Sequence, residues 1–171
     1  MFDLKAIGLS ITAIYAAAYA LKSAAVKLKY FAASEFGVWW PFLDNDLLYG
    51  LDAFRQALGV PVQISPAHGA IGRVGKEAEN SQHFLLESGQ LRAIDILIPE
   101  NVSLEHAYNV AKSLGIFSGI GVYPDWSPRH GLHLDTRKNK VPDNPATWSG
   151  LKVVVNGVPK QIYKNVERGF V

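Results

Sequence analysis

A chain of 171 residues, 49% hydrophobic and 19% charged, is long enough for one domain with a true core, which excludes wholesale disorder. A net charge of +2 is too small for a nucleic-acid surface, although it favours contact with an anionic polymer such as a cell wall. Cysteine is absent, so disulfides, thiolate metal sites and a cysteine nucleophile are excluded, and any transition-metal site must draw on carboxylates and on His68, His83, His106, His130 and His133.

Residues 4–32 read as one long helix, rich in Ala, Leu and Lys and free of Gly and Pro after Gly8. Within it, residues 6–21 carry no charge and are flanked by Lys5 and by Lys22, Lys27 and Lys29. Three readings compete. The run is short for a membrane span. It resembles a signal peptide whose basic start is weakened by Asp3. It also suits an alanine-rich helix packed on the domain or lying on a membrane surface. Residues 1–30 are therefore set apart as an apolar helix, and residues 31–171 are taken as the domain that carries the chemistry.

Ser34-Glu35-Phe36-Gly37 breaks this helix. Residues 44–58 form the next, with Leu47, Leu48, Leu51, Phe54 and Leu58 at helical spacing and Gly59 to close it. Residues 60–65 are a short strand, and 66–81 a polar loop containing glycine. Residues 91–98 alternate weakly and are rich in Ile, which predicts a strand ended by Pro99 and Asn101. Ser103 caps a helix through Leu114. Residues 119–123 and 130–135 are strands, and 153–158 a terminal hairpin turning at Asn156-Gly157. Helices first, then short strands with one crossing helix, predict an α+β fold: a small, mainly antiparallel sheet with flanking helices.

Three segments carry chemistry: Ser81-Gln82-His83, Ala93-Ile94-Asp95 and His130-Gly131-Leu132-His133-Leu134-Asp135. On a strand, positions 131, 133 and 135 share a face. Two imidazoles and one carboxylate, here His83, His133 and Asp95, suit a catalytic zinc that keeps a fourth position for water. Such an ion lowers the pKa of its water and polarises a carbonyl. A further group must then move the proton to the leaving amine, and His130 and Asp135 are the candidates by spacing. Spacing alone is weak support, since a lone His or Asp in a strand is more often structural.

The segment from Phe31 to Leu151 resembles the zinc D-Ala-D-Ala carboxypeptidase and phage endolysin peptidase family, in the group that includes lysostaphin and the hedgehog fold. The residues that carry the resemblance are Phe31, Glu35 and Phe36 at the start, then Leu51-Asp52-Ala53-Phe54-Arg55. Ser81-Gln82-His83, Ala93-Ile94-Asp95 and His133-Leu134-Asp135 follow in the family's order. Gly119-Ile120-Gly121-Val122-Tyr123 resembles the family's lead-in to the last ligand, and Arg137 and Trp148 its trailing Arg and Trp. The resemblance implies Zn²⁺ on His83, Asp95 and His133, and hydrolysis of an amide in the peptidoglycan stem peptide. D-Ala-D-Ala carboxypeptidase and L-Ala-D-Glu endopeptidase remain open alternatives. It also implies a phage-type lysis enzyme at the cell wall or in the periplasm, with residues 1–30 as a tether to a membrane or virion.

Relatives carry an Arg that grips a substrate carboxylate as a bidentate pair. Their Ser-Gly-Tyr-Arg stretch has no copy here, and Arg73 stands nearest, with Ser81 as a second substrate-binding candidate. The gap from His83 to Asp95 exceeds the family's usual spacing, and His130 stands where several relatives have an acid. The base therefore lies between His130, Asp135 and Asp125. These departures keep a second expectation alive, a non-catalytic cell-wall-binding or virion module on the same fold. His68 has two readings, a cleft-lining residue or, preferred, a turn histidine after Ser65-Pro66, and His106 is expected to be structural. Trp39, Trp40 and Trp126 belong either to a groove or to the core.

Overall fold

The computed structural model describes residues 10–74, 81–85 and 89–170. Helix α1, Ile11–Ala25, starts at Ser10, whose hydroxyl accepts from the Ala13 amide at 3.2 Å. It ends earlier than the composition suggests. The Asp52 carboxylate accepts from the amides of Lys29 and Tyr30 at 3.0 and 2.8 Å, and Arg55 Nη1 donates to the Tyr30 carbonyl at 2.8 Å. Residues 29–30 are thus held in a non-helical path by a distant helix, which local propensity cannot report. The part of the long-helix expectation over residues 1–9 lies outside the described residues.

Helix α1 packs on the domain. Trp40 Nε1 donates to the Ser23 hydroxyl at 2.9 Å, and Lys22 Nζ donates to the Leu43 carbonyl at 2.6 Å. Among the described residues no helix is long and apolar enough to cross a membrane. A 3-10 segment, Ala33–Phe42, follows with Gly37 at φ 54, and it buries Phe36 and Trp40.

Helix α2, Asn45–Leu58, is capped by the Asp44 carboxylate and closed by Gly59 at φ 73. Its buried stripe is Leu47, Leu48, Leu51, Phe54 and Leu58, as the spacing predicts. Helix α3, Leu104–Ser113, starts at Ser103, which accepts from the His106 amide at 3.1 Å.

The six strands are β1 Gln63–Ile64, β2 Ala93–Leu97, β3 Gly119–Tyr123, β4 Gly131–Asp135, β5 Ala146–Val155 and β6 Val158–Lys164. They form one sheet in the order β1-β2-β4-β3-β5-β6. All neighbours are antiparallel except β3 and β5. The fold is therefore α+β with a mainly antiparallel sheet. Strand β1 is shorter than expected, and the hairpin of β5 and β6 is longer, although it turns at Asn156 and Gly157 with φ 52 and 77.

Every residue of β2, β3 and β4 is buried, which explains why 91–98 alternates so weakly. The two faces nonetheless differ. Ile94, Ile96, Ile120, Val122, Leu132 and Leu134 join the helices in the core. The other parity carries Asp95, Gly121, Tyr123 and His133.

Candidate metal centre

One row of the sheet positions the site. Asp95 on β2 stands opposite His133 on β4, His133 stands opposite Gly121 on β3, and Gly121 pairs with Trp148 on β5. Two glycines make the row fit. A Cβ at Gly121 would lie 2.6 Å from the Trp148 ring, and one at Gly119 would collide with the Asp135 carboxylate. The Gly-x-Gly of β3 thus vacates the space that Trp148 and Asp135 occupy beside His133.

His83 arrives from a loop and is 2% exposed. The loop is tied down by its backbone. Arg73 N donates to the His83 carbonyl at 2.7 Å, Leu85 N to the Arg73 carbonyl at 3.2 Å, and Arg92 N to the Gln82 carbonyl at 3.2 Å. Ser81 Oγ accepts from the His83 amide at 3.3 Å.

The three ligand atoms form a tight triangle. His83 Nε2 lies 3.1 Å from Asp95 Oδ1 and 3.0 Å from His133 Nδ1, and His133 Nδ1 lies 2.9 Å from Asp95 Oδ1. Donors sharing one tetrahedral ion at roughly 2.0–2.1 Å sit roughly 3.3 Å apart, so the spacing is close to what an ion needs.

Outer hydrogen bonds decide where the protons are. His83 Nδ1 faces the Ile71 carbonyl at 3.3 Å, and a carbonyl can only accept, so Nδ1 donates and Nε2 keeps its lone pair. His133 Nε2 faces Asp135 Oδ2 at 2.9 Å, so Nε2 donates and Nδ1 keeps its lone pair. Two imidazole lone pairs and a carboxylate oxygen then converge inside a buried pocket. Such a convergence repels itself unless a cation joins it. His83, Asp95 and His133 can therefore hold a metal ion.

In the metal-free chain a proton answers the same need. Burial disfavours a charged His133, but its bonds to Asp135 and Asp95 outweigh burial and raise it to about 9. Burial likewise opposes the charge on Asp95, and the His133 and His83 rings overcome it, holding the carboxyl at about 2. Asp135, fully buried, is driven below the usual carboxylate range against the pull of burial by the Arg137 guanidinium and the His133 ring. Arg137 Nε donates to both Asp135 oxygens, at 2.8 and 3.0 Å.

The triad opens into a cleft of about 820 Å³. Arg73 and Ser81, the residues expected to meet substrate, both line it. Arg73 leans on Gly69, donating from Nε to its carbonyl at 3.1 Å. His68 also lines the cleft, as does Trp126, stacked on Tyr123 at 4.2 Å with 15° between the rings. Trp40 belongs to the core instead, with Trp39 packed against it.

None of the three side chains considered as base lines the cleft. His130 has the parity of Leu132 and Leu134, away from the ligands, and its Nε2 is buried without a hydrogen-bond partner among the described residues. Asp135 sits behind His133, where it orients the ring. Asp125 is exposed and accepts from the Lys152 amide at 2.8 Å. The cleft also takes Lys152, Gln161 and Tyr163 from the hairpin of β5 and β6. The sequence reading missed these three, and only strand alternation through Lys152 hinted at them.

Fold and site together define an α+β domain with a buried two-histidine, one-carboxylate ligand group at the floor of a cleft. Comparison with protein-family models, with curated proteins and with solved structures finds no match to this chain.

Proposed function

We propose that the chain is a zinc metallopeptidase that hydrolyses an amide of the peptidoglycan stem peptide, acting at the cell wall as a phage-type lysis enzyme. The observation that carries this reading is the convergence of three lone pairs from His83, Asp95 and His133 at the cleft floor. The order of motifs along the chain supports it. A closed structural site would use all four positions for protein ligands, whereas three ligands beside an open cleft suit catalysis.

Bound there, zinc supplies a water of lowered pKa and polarisation of the scissile carbonyl. His83, Asp95 and His133 hold the ion, and Asp135 fixes the His133 ring in its ligating tautomer. Arg73, Arg137 and Lys152 line the cleft, against Asp95 as its one acid among the described residues. That balance favours a substrate carrying carboxylates, as stem peptides do, and Arg73 is the residue to grip one. His68 is the cleft-lining imidazole outside the triad, and the proton transfer is assigned to it in place of His130 or Asp135. Ser81 faces the same cleft beside His83. Residues 1–30 remain the proposed tether to a membrane or virion.

The test is metal content by elemental analysis beside cleavage of purified muropeptides followed by mass spectrometry. About one zinc per chain, lost in Asp95→Ala, together with cleavage products, is the expected result. A second reading, a non-catalytic cell-wall-binding or virion module, draws on the absence of His130, Asp135 and Asp125 from the cleft. Full zinc occupancy with every muropeptide left intact would put that reading first.

A further inference from the structure

We propose that Tyr123 is a further catalytic residue of this cleft, whose phenol donates a hydrogen bond to the scissile carbonyl oxygen as that oxygen gains negative charge. The proposal rests on the zinc peptidase reading.

Trp148 Nε1 lies 2.9 Å from the Tyr123 hydroxyl oxygen. An indole N–H can only donate, so the phenol accepts this bond and its own proton is left for another acceptor. No acceptor for it is found among the described residues. Tyr123 lies two residues beyond Gly121, on the same face of β3, and Gly121 stands opposite His133. Tyr123 lines the cleft together with His83, Asp95 and His133.

The ring is held from three sides. Trp148 fixes its hydroxyl, and Trp126 stacks on its face at 4.2 Å. The backbone of β5 passes so close that a Cβ at Gly150 would collide with the Tyr123 ring. Gly121 in turn admits Trp148, as described above. Two glycines on neighbouring strands are thus committed to seating one tyrosine and one tryptophan beside the ligands. A donor fixed before the reaction, in a site partly shielded from water, stabilises developing charge without reorganising. No covalent bond to Tyr123 forms or breaks, and its proton stays on the phenol.

The experiment compares the zinc-loaded full chain with Tyr123→Phe and Trp148→Phe, using muropeptide turnover and calorimetric binding of a phosphinate dipeptide. The phosphinate places a tetrahedral oxyanion where the carbonyl oxygen would be. The expected result for Tyr123→Phe is a fall of about 10²-fold in kcat, the loss typical of one oxyanion donor, with KM and zinc content unchanged. Phosphinate binding should weaken in parallel. Trp148→Phe keeps the phenol but frees it, so kcat should fall by a smaller factor, on the order of tenfold. If Tyr123→Phe fails to hold zinc, Trp148→Phe decides the matter. Wild-type kcat and phosphinate affinity in the zinc-retaining variants would overturn the role of Tyr123 and leave the peptidase reading standing. A zinc-loaded wild-type chain that neither cleaves muropeptides nor binds the phosphinate would overturn both.

Discussion

Asp135 and His133 form a buried pair two residues apart on one strand, with Asp135 Oδ2 2.9 Å from His133 Nε2. His133 lines the cleft and Asp135 does not, so the effect of Asp135 on chemistry is indirect. Asp135 decides which nitrogen of His133 is left for an ion.

Asp135→Asn therefore weakens metal binding without removing a ligand. The amide fills the same space, but it no longer balances Arg137, and its NH₂ group can turn towards Nε2 and reverse the tautomer. Metal affinity should fall roughly 10–100-fold, as for other residues that orient a ligand. Competition with a chromophoric chelator measures this. Unchanged affinity would show that the His133 tautomer does not depend on Asp135.

Proton and metal compete for His133. Its metal-free value of about 9 lies above the ordinary 6.5, so at neutral pH an arriving ion must displace a proton. Apparent metal affinity should rise about tenfold per pH unit up to about pH 9 and level off above. The same raised value sets the sign for stability of the metal-free chain. The His133 contribution is fully present below 6.5 and is lost as pH rises through about 9. Thermal melts of chelator-treated protein across that window should show falling Tm. A Tm that climbs steadily through the window would contradict the assignment.

Gly121→Ala tests the row of the sheet. The new methyl would lie 2.6 Å from the Trp148 ring, which has the rigid β3 backbone beneath it. Overpacking of this kind costs about 1–3 kcal/mol. Urea unfolding should report the loss, and tryptophan fluorescence a displaced Trp148. Preserved stability and an unaltered spectrum would mean that the ring has room to move.

His68→Ala separates proton transfer from metal binding. His68 lines the cleft but lies outside the triad. Zinc content should be that of the wild type, while kcat falls by about 10²–10⁴-fold. Wild-type turnover would return the search for a proton carrier to water.

Much of this was legible in the chain. The leucines of 47–58 with Gly59 placed α2 within a residue of its observed start, and Gly119–Tyr123 is a strand as read. Asp95 and His133 stood out as polar residues in strand patterns, and His83 stood out through its order with them along the chain. What stayed hidden depends on distant partners. The path of residues 29–30 after α1 is held by Asp52, and the seating of Trp148 depends on a glycine one strand away. His130 was read as a candidate base from nearness in sequence, yet it does not line the cleft, and alternation groups it with Leu132 and Leu134 rather than with His133.

His83 and His133 are 50 residues apart, and one rides on a loop while the other is fixed in the sheet. An ion held between them closes a long loop in a chain that has no cysteine to do so. The metal would then act as a removable cross-link, confining the unfolded chain much as a disulfide does. A chelator would cut that staple, and the polypeptide segment carrying His83 would be the first to come loose from the sheet.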